Sequence, residues 1–194
     1  MQNILFLGYS KDETQLIGAL ESNNCRVEVT DKKIDLDKSE GYDLIISFGY
    51  SYIIPNYFIE KCSCPIVNLH ISYLPFNRGA HPNFWSFYDD TQSGVTIHLI
   101  DDGIDTGPIL FQKKVNFSDE TTFSETYQKL INEIEKLFMD NLQLIIEKNW
   151  ISKPQKGSGT FHRAKDLPSS FRGWDSNIEA EIDRLKYKNE NERC

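Results

Sequence analysis

Cysteine is scarce in this chain: four in 194 residues, at positions 25, 62, 64 and 194. Cys62 and Cys64 form a close pair, but no second pair or histidine cluster stands near them, so no metal site is expected. The thiols read instead as buried groups in a reducing compartment. Basic residues are also short, 21 Lys and Arg against 29 Asp and Glu, for a formal net charge of -8. That balance argues against the broad basic face a nucleic-acid partner requires. Long apolar runs are missing. The first residues, Met1 to Gly8, carry no basic leader and too short an apolar stretch for a signal peptide. Nothing approaches the ~20 apolar residues of a membrane span. The expectation is a cytoplasmic protein with neither membrane nor nucleic acid as partner. A glycine-rich phosphate fingerprint is lacking too: the turn after the first apolar run reads Gly8-Tyr9-Ser10-Lys11-Asp12. A dinucleotide dehydrogenase is therefore a poor fit.

What is present describes a folded globule, with 39% hydrophobic and 12% aromatic residues. The length suits one domain with a sizeable core, assigned to residues 1–150, and a short C-terminal extension over 151–194. Ile4 to Leu7, Cys25 to Thr30, Asp43 to Phe48, Cys64 to Val67, Val95 to Ile100 and Pro108 to Val115 are apolar or alternating runs that read as strands. Leu16, Ile17 and Leu20 predict a helix from Asp12 or Glu13 to Glu21. The strand–helix–strand opening and its right-handed crossover predict an α/β fold: an open, mostly parallel, Rossmann-like sheet flanked by helices. Thr121 or Thr122, with Glu125 completing a capping box, begins a long helix. Phe123, Tyr127, Leu130, Ile131, Ile134, Leu137, Phe138, Asn141 and Ile145 form its stripe, read as core-facing and without chemistry. Phe84, Trp85, Phe87 and Tyr88 follow Pro82 on another helix and read mainly as core.

The chemistry lies between Asn68 and Gly107. Strand-like runs end on Asn68-Leu69-His70 and, through Gly103, on Ile104-Asp105-Thr106-Gly107. Ligands of open α/β sheets bind beyond the carboxyl ends of strands, so Asn68, His70 and Asp105 are expected at one rim. Those three types suit acyl-group transfer: the amide can hold an oxyanion, and the imidazole can exchange protons at neutral pH. The carboxylate can orient the imidazole or a water. On spacing alone, His70 as a satisfied histidine and Asp105 as a turn residue remain equally open.

The string Asn68-Leu69-His70-Ile71-Ser72-Tyr73-Leu74-Pro75-Phe76-Asn77-Arg78-Gly79, followed by Ile104 to Gly107, resembles the formyltransferases that use N10-formyltetrahydrofolate. The resemblance covers roughly the first three-quarters of the chain and is nearest to bacterial nucleotide-sugar N-formyltransferases. It implies that Asn68, His70 and Asp105 are the catalytic set. It implies that Tyr52, Ile53 and Ile54 contact the pterin of the folate co-substrate, and that Ile100, Asp101, Asp102 and Gly103 recognise it through their backbone. No metal is implied. The acceptor would be the primary amine of a nucleotide-linked amino deoxysugar. Candidate acceptor contacts are Ser10 and Lys11 in the first turn, Arg78 and His81 beyond the rim, and Trp85.

From Ile151 to Lys165 the chain is free of Asp and Glu yet holds Lys153, Lys156, Arg163 and Lys165. A solvated loop explains this. So does an anion site for a diphosphate, with His162 and Arg163 as contacts. The charged tail from Asp175 to Cys194 predicts a short helix through Ile178, Ile182 and Leu185, free to pack back or to frame a homodimer. Two alternatives stand beside the sugar reading. One is a phosphoribosylglycinamide formyltransferase, whose family pattern of a Gly/Ser/Asn-rich phosphate turn is not matched here. The other is a non-catalytic folate- or nucleotide-binding module on the same fold.

Overall fold

The computed structural model describes residues 1–191; the end of the charged tail, with Cys194, lies outside the described residues. Strand β1 (Gln2–Gly8) buries Ile4, Leu5, Phe6 and Leu7 completely. Four successive apolar residues leave the strand no polar face, so it must be covered on both sides. Helix α1 (Leu16–Ser22) and strand β2 (Cys25–Thr30) follow, with β2 parallel to β1. The helix starts three to four residues later than the periodicity predicts. The Glu13 carboxylate accepts from both the amide and the hydroxyl of Ser10, at 2.9 and 2.8 Å, and this turn uses up the residues before it. The charged segment beyond β2 contains one short 3-10 turn, Leu36–Lys38. Strand β3 (Leu44–Phe48) is buried throughout, and helix α2 (Asn56–Lys61) leads to strand β4 (Ile66–His70).

The remaining elements are β5 (Arg78–Gly79), α3 (Pro82–Tyr88), β6 (Gly94–Leu99), β7 (Ile109–Lys114), α4 (Phe123–Asp140), α5 (Leu142–Ile146), β8 (Phe161–His162) and α6 (Ile178–Asn191). The main sheet has the order β2-β1-β3-β4-β6-β7. Its first four strands are parallel; β6 runs antiparallel to β4, and β7 antiparallel to β6. One expectation is corrected here. Leu99, at the end of β6, pairs with Val67 near the start of β4, so the two strands do not finish on a common rim. Residues 100–107 instead carry Asp105 back toward the end of β4.

Thr122 caps α4 with the full capping box, and Leu130, Ile134 and Phe138 are buried against the sheet. Two members of the predicted stripe depart from it. Tyr127 is 40% exposed. Asn141 separates α4 from α5, its amide donating to the Leu137 carbonyl. Beyond residue 150 the chain returns to the body. Ile109 and Lys153 exchange backbone bonds of 2.8 Å, β8 lies parallel to β5, and α6 seats Ile182 and Leu185 against Phe84, Trp85 and Phe123. Among the described residues no helix is long and apolar enough to cross a membrane.

Candidate active site

A cavity of about 590 Å3 opens beside the ends of β1, β3 and β4. Gly8 shapes that edge. Its φ of +111° disfavours any side chain, and a Cβ there would lie 2.1 Å from the Phe48 carbonyl oxygen. Asn68 and His70 are two residues apart on β4, so both side chains emerge on the same face. Asp105, with φ of +52°, meets them from the returning loop. The Asn68 amide donates to Asp105 Oδ1 at 3.3 Å, and His70 Nε2 lies 3.7 Å from Asp105 Oδ2. That second oxygen also accepts the Gly79 N–H at 2.8 Å. The three side chains thus converge on one wall of the cavity.

A fourth group belongs to the cluster. His98 sits opposite Asn68 across the β4–β6 pair and is 1% exposed. Its Nδ1 faces the Leu99 carbonyl at 2.8 Å, which requires the proton on that nitrogen. In the neutral ring Nε2 is then an acceptor, taking the second Asn68 amide hydrogen at 3.2 Å. A further proton would turn Nε2 toward Asp105 Oδ1, 3.5 Å away. Burial pushes the Asp105 carboxyl up more than any other single influence does. The imidazole of His70, the bond and charge of His98 and the Gly79 amide together outweigh it, holding the carboxyl well below the usual carboxylate range. Asp105 is therefore a fixed anion with two imidazoles and an amide around it. His98 had a sequence signal. Thr96 and His98 alternate with Val95, Ile97 and Leu99, which marks a polar face on a buried strand.

Other candidates are distributed unevenly. Tyr52, Ile53, Ile54, Ile100, Asp101, Asp102 and Gly103 all line the cavity, and so do His162 and Arg163. Ile54 is buried while Ile53 is 74% exposed at the mouth. Asp101 Oδ1 accepts the Gly103 amide and the Thr106 hydroxyl, folding the turn that follows β6. Arg163 is the only Lys or Arg side chain on the wall among the described residues. Five candidates are not on it. Ser10 is bound to Glu13, Lys11 pairs with Glu21 at 2.7 Å, and Arg78 donates to Gln155. His81 packs toward Trp174, with ring centroids 5.3 Å apart. Trp85 is buried behind His162, its indole stacked 3.7 Å from that imidazole, while His162 Nε2 meets Asp89 at 2.7 Å.

Phe161, and Tyr9 with its partner Tyr127, also line the cavity and were not expected there. The two tyrosine hydroxyls are 2.9 Å apart. Burial and that bond raise the Tyr9 phenol above its ordinary range. Helical spacing placed Tyr127 in the core stripe. It sits in the first turns of α4 and lines the opening. No three or more His, Cys, Asp or Glu side chains gather as metal ligands among the described residues.

The chain is similar to dTDP-4-amino-4,6-dideoxyglucose formyltransferase of Mycobacterium bovis, 32% identical over 128 residues, which cover 66% of this chain and 54% of that protein. It is 33% identical over 125 residues to methionyl-tRNA formyltransferase of Clostridioides difficile, covering 63% of this chain and 40% of that one. The chain thus spans about half the length or less of these curated relatives. Among solved structures it resembles the formyltransferase PseJ of Anoxybacillus kamchatkensis, in complex with UDP-4,6-dideoxy-4-formamido-L-AltNAc and tetrahydrofolate. There the identity is 40%, the TM-score 0.84, and the match covers 91% of this chain and 96% of that one. The formyl transferase family model matches residues 8–142, a stretch that includes Asn68, His70, His98 and Asp105, and the chain belongs to that family.

Proposed function

We propose that the chain is an N-formyltransferase that moves a formyl group from N10-formyltetrahydrofolate to the primary amine of a nucleotide-linked amino deoxysugar. The observation that carries this reading is the convergence of Asn68, His70 and Asp105 on one cavity wall. The likeness to PseJ, whose complex holds a UDP-linked formamido sugar and tetrahydrofolate, supports the choice of acceptor and donor. The wall chemistry fits the donor: Ile54 and Ile100 offer apolar surface, and residues 101–103 of the following turn line the cavity beside it. When bound, the folate supplies a formyl carbon open to attack by an amine.

The protein's part follows from the geometry. Asn68 holds its amide hydrogens on His98 and Asp105 through long bonds of 3.2 and 3.3 Å. Turning one of them onto developing negative charge on the formyl oxygen sacrifices little and gains a directed donor. His70 takes a proton from the attacking amine as the new C–N bond forms, and Asp105 stabilises the resulting imidazolium at close range. The imidazolium returns the proton to N10 as the formyl C–N10 bond breaks and tetrahydrofolate leaves. Arg163 and His162 stand on the same wall as the acceptor's anchor, the guanidinium being suited to a diphosphate.

The purine alternative is disfavoured by the first turn. There Ser10 is engaged by Glu13 and Lys11 by Glu21, so neither is presented to a substrate phosphate. Donor consumption measured over UDP- and dTDP-linked amino deoxysugars tests the reading. His70→Ala should lower turnover about a hundredfold or more. Retention of more than about a tenth of the rate removes His70 from the chemistry. Turnover with glycinamide ribonucleotide alone overturns the sugar acceptor.

A further inference from the structure

His70 cannot choose its own protonation pattern. Its Nε2 lies 3.2 Å from the Asn77 main-chain carbonyl, and a carbonyl only accepts, so this nitrogen must carry a proton. Asp105 Oδ2 lies 3.7 Å from the same nitrogen. Among the described residues Nδ1 has no hydrogen-bond partner. In the neutral ring the lone pair is therefore on Nδ1.

The position of the Asn77 carbonyl is itself enforced. Asn77 adopts a left-handed backbone with φ of +55° and is 1% exposed. Its own amide N–H donates to the Thr160 hydroxyl at 2.7 Å, and that hydroxyl donates back to Asn77 Oδ1 at 3.0 Å. Asn77 Nδ2 donates to the Thr91 hydroxyl at 2.9 Å, so the side-chain amide has partners at both ends. The chain around Thr160 is clamped along the same loop. Thr160 N–H donates to the Pro75 carbonyl, Arg78 N–H donates to the Thr160 carbonyl, and Ala80 N–H donates to that of His162. Gly159, with φ of +60°, permits this approach: a Cβ there would stand 2.1 Å from the Pro75 oxygen.

We infer that Asn77 and Thr160 are positioning residues: Thr160, 83 residues downstream, locks the Asn77 peptide so that its carbonyl holds His70 as the Nε2–H tautomer and leaves Nδ1 to act as the base. This rests on the proposed transfer only in naming the base; the tautomer itself is a property of the protein alone. Long-range 1H–15N spectra of the labelled full chain, with the His70 ring assigned through His70→Gln, read it directly. A protonated Nε2 and a bare Nδ1 are expected, and the opposite tautomer overturns the inference. In Thr160→Val, which keeps shape and removes the hydroxyl, the single-tautomer pattern should be lost. Its kcat should fall about ten- to a hundredfold with the KM for the folate donor little changed. Thr160→Ser should restore both readouts. Wild-type spectrum and kcat in Thr160→Val overturn the role, as does a loss that serine fails to rescue. A protein without formyl transfer would sink the functional reading and still leave the spectrum to decide this one.

Discussion

Asp105 shows how one side chain can be expensive to bury and still be held as an anion by its neighbours. Its two oxygens receive the Asn68 amide and the Gly79 N–H, with imidazoles at 3.5 and 3.7 Å. Because its carboxyl is held below the ordinary value of ~3.9, the unfolded chain binds the proton more readily than the folded one. The stability this supplies is complete above the unfolded value and is lost as pH falls through the folded one. Asp105→Asn keeps the outline and cannot ionise. The stability difference between wild type and variant, from denaturant titrations, should be steady between about pH 7 and 5 and shrink below about pH 4. An unchanged gap at low pH would mean the folded carboxylate is not stabilised as its contacts indicate. At this scale the sequence was legible where residues share a short string: Asn68 and His70 lie two apart, and Asp105 sits in a turn of recognisable shape. His98 was harder. It stands in the middle of an apolar run, and only its pairing with Asn68 across two strands makes it part of the cluster.

At the scale of elements, local chemistry was the better guide. The Thr122–Glu125 box predicted the start of α4, and both halves of it are formed. Thr122→Ala should cost about 1 kcal/mol, lowering the thermal midpoint by about 2–4 °C. A midpoint within about half a degree of wild type would show that packing alone sets this end of the helix. The direction of β6 was not legible, because alternation of side chains along a strand is the same whichever way the neighbour runs. What decides it is the connection from β4, where the loop, β5 and α3 bring the chain back into the sheet at the same end at which β4 left it, so that His70 pairs with Thr96. The start of α1 was misread for a related reason: Glu13 is a good helix former, but its carboxylate satisfies Ser10 first.

Over the whole molecule, the C-terminal segment is knitted into the body rather than appended to it. Leu185 is 1% exposed and shares a cluster with Phe84, Trp85 and Phe123. Leu185→Ala should destabilise by about 2–5 kcal/mol, a loss of about 4 °C or more in thermal midpoint. A loss under about 0.5 kcal/mol would mean that α6 leaves this cluster readily in solution. Periodicity pointed to Ile182 and Leu185 as an apolar face. It could not name the surface they cover, since that surface is made by aromatic residues about 60 to 100 positions earlier.

The β5–β8 ribbon has a consequence for how the protein matures. Synthesis proceeds from the amino end, so the sheet strands through β7 emerge before Phe161 and His162 are available to pair with Arg78 and Gly79. A ribosome-bound chain halted in α5 would carry every strand of the sheet and all four polar residues of the cluster, yet lack the clamp that seats the loop beneath them. Closure of the loop clamp, and of the aromatic cluster that α6 covers, is thus deferred to the last part of translation, and products terminated in α5 lack both.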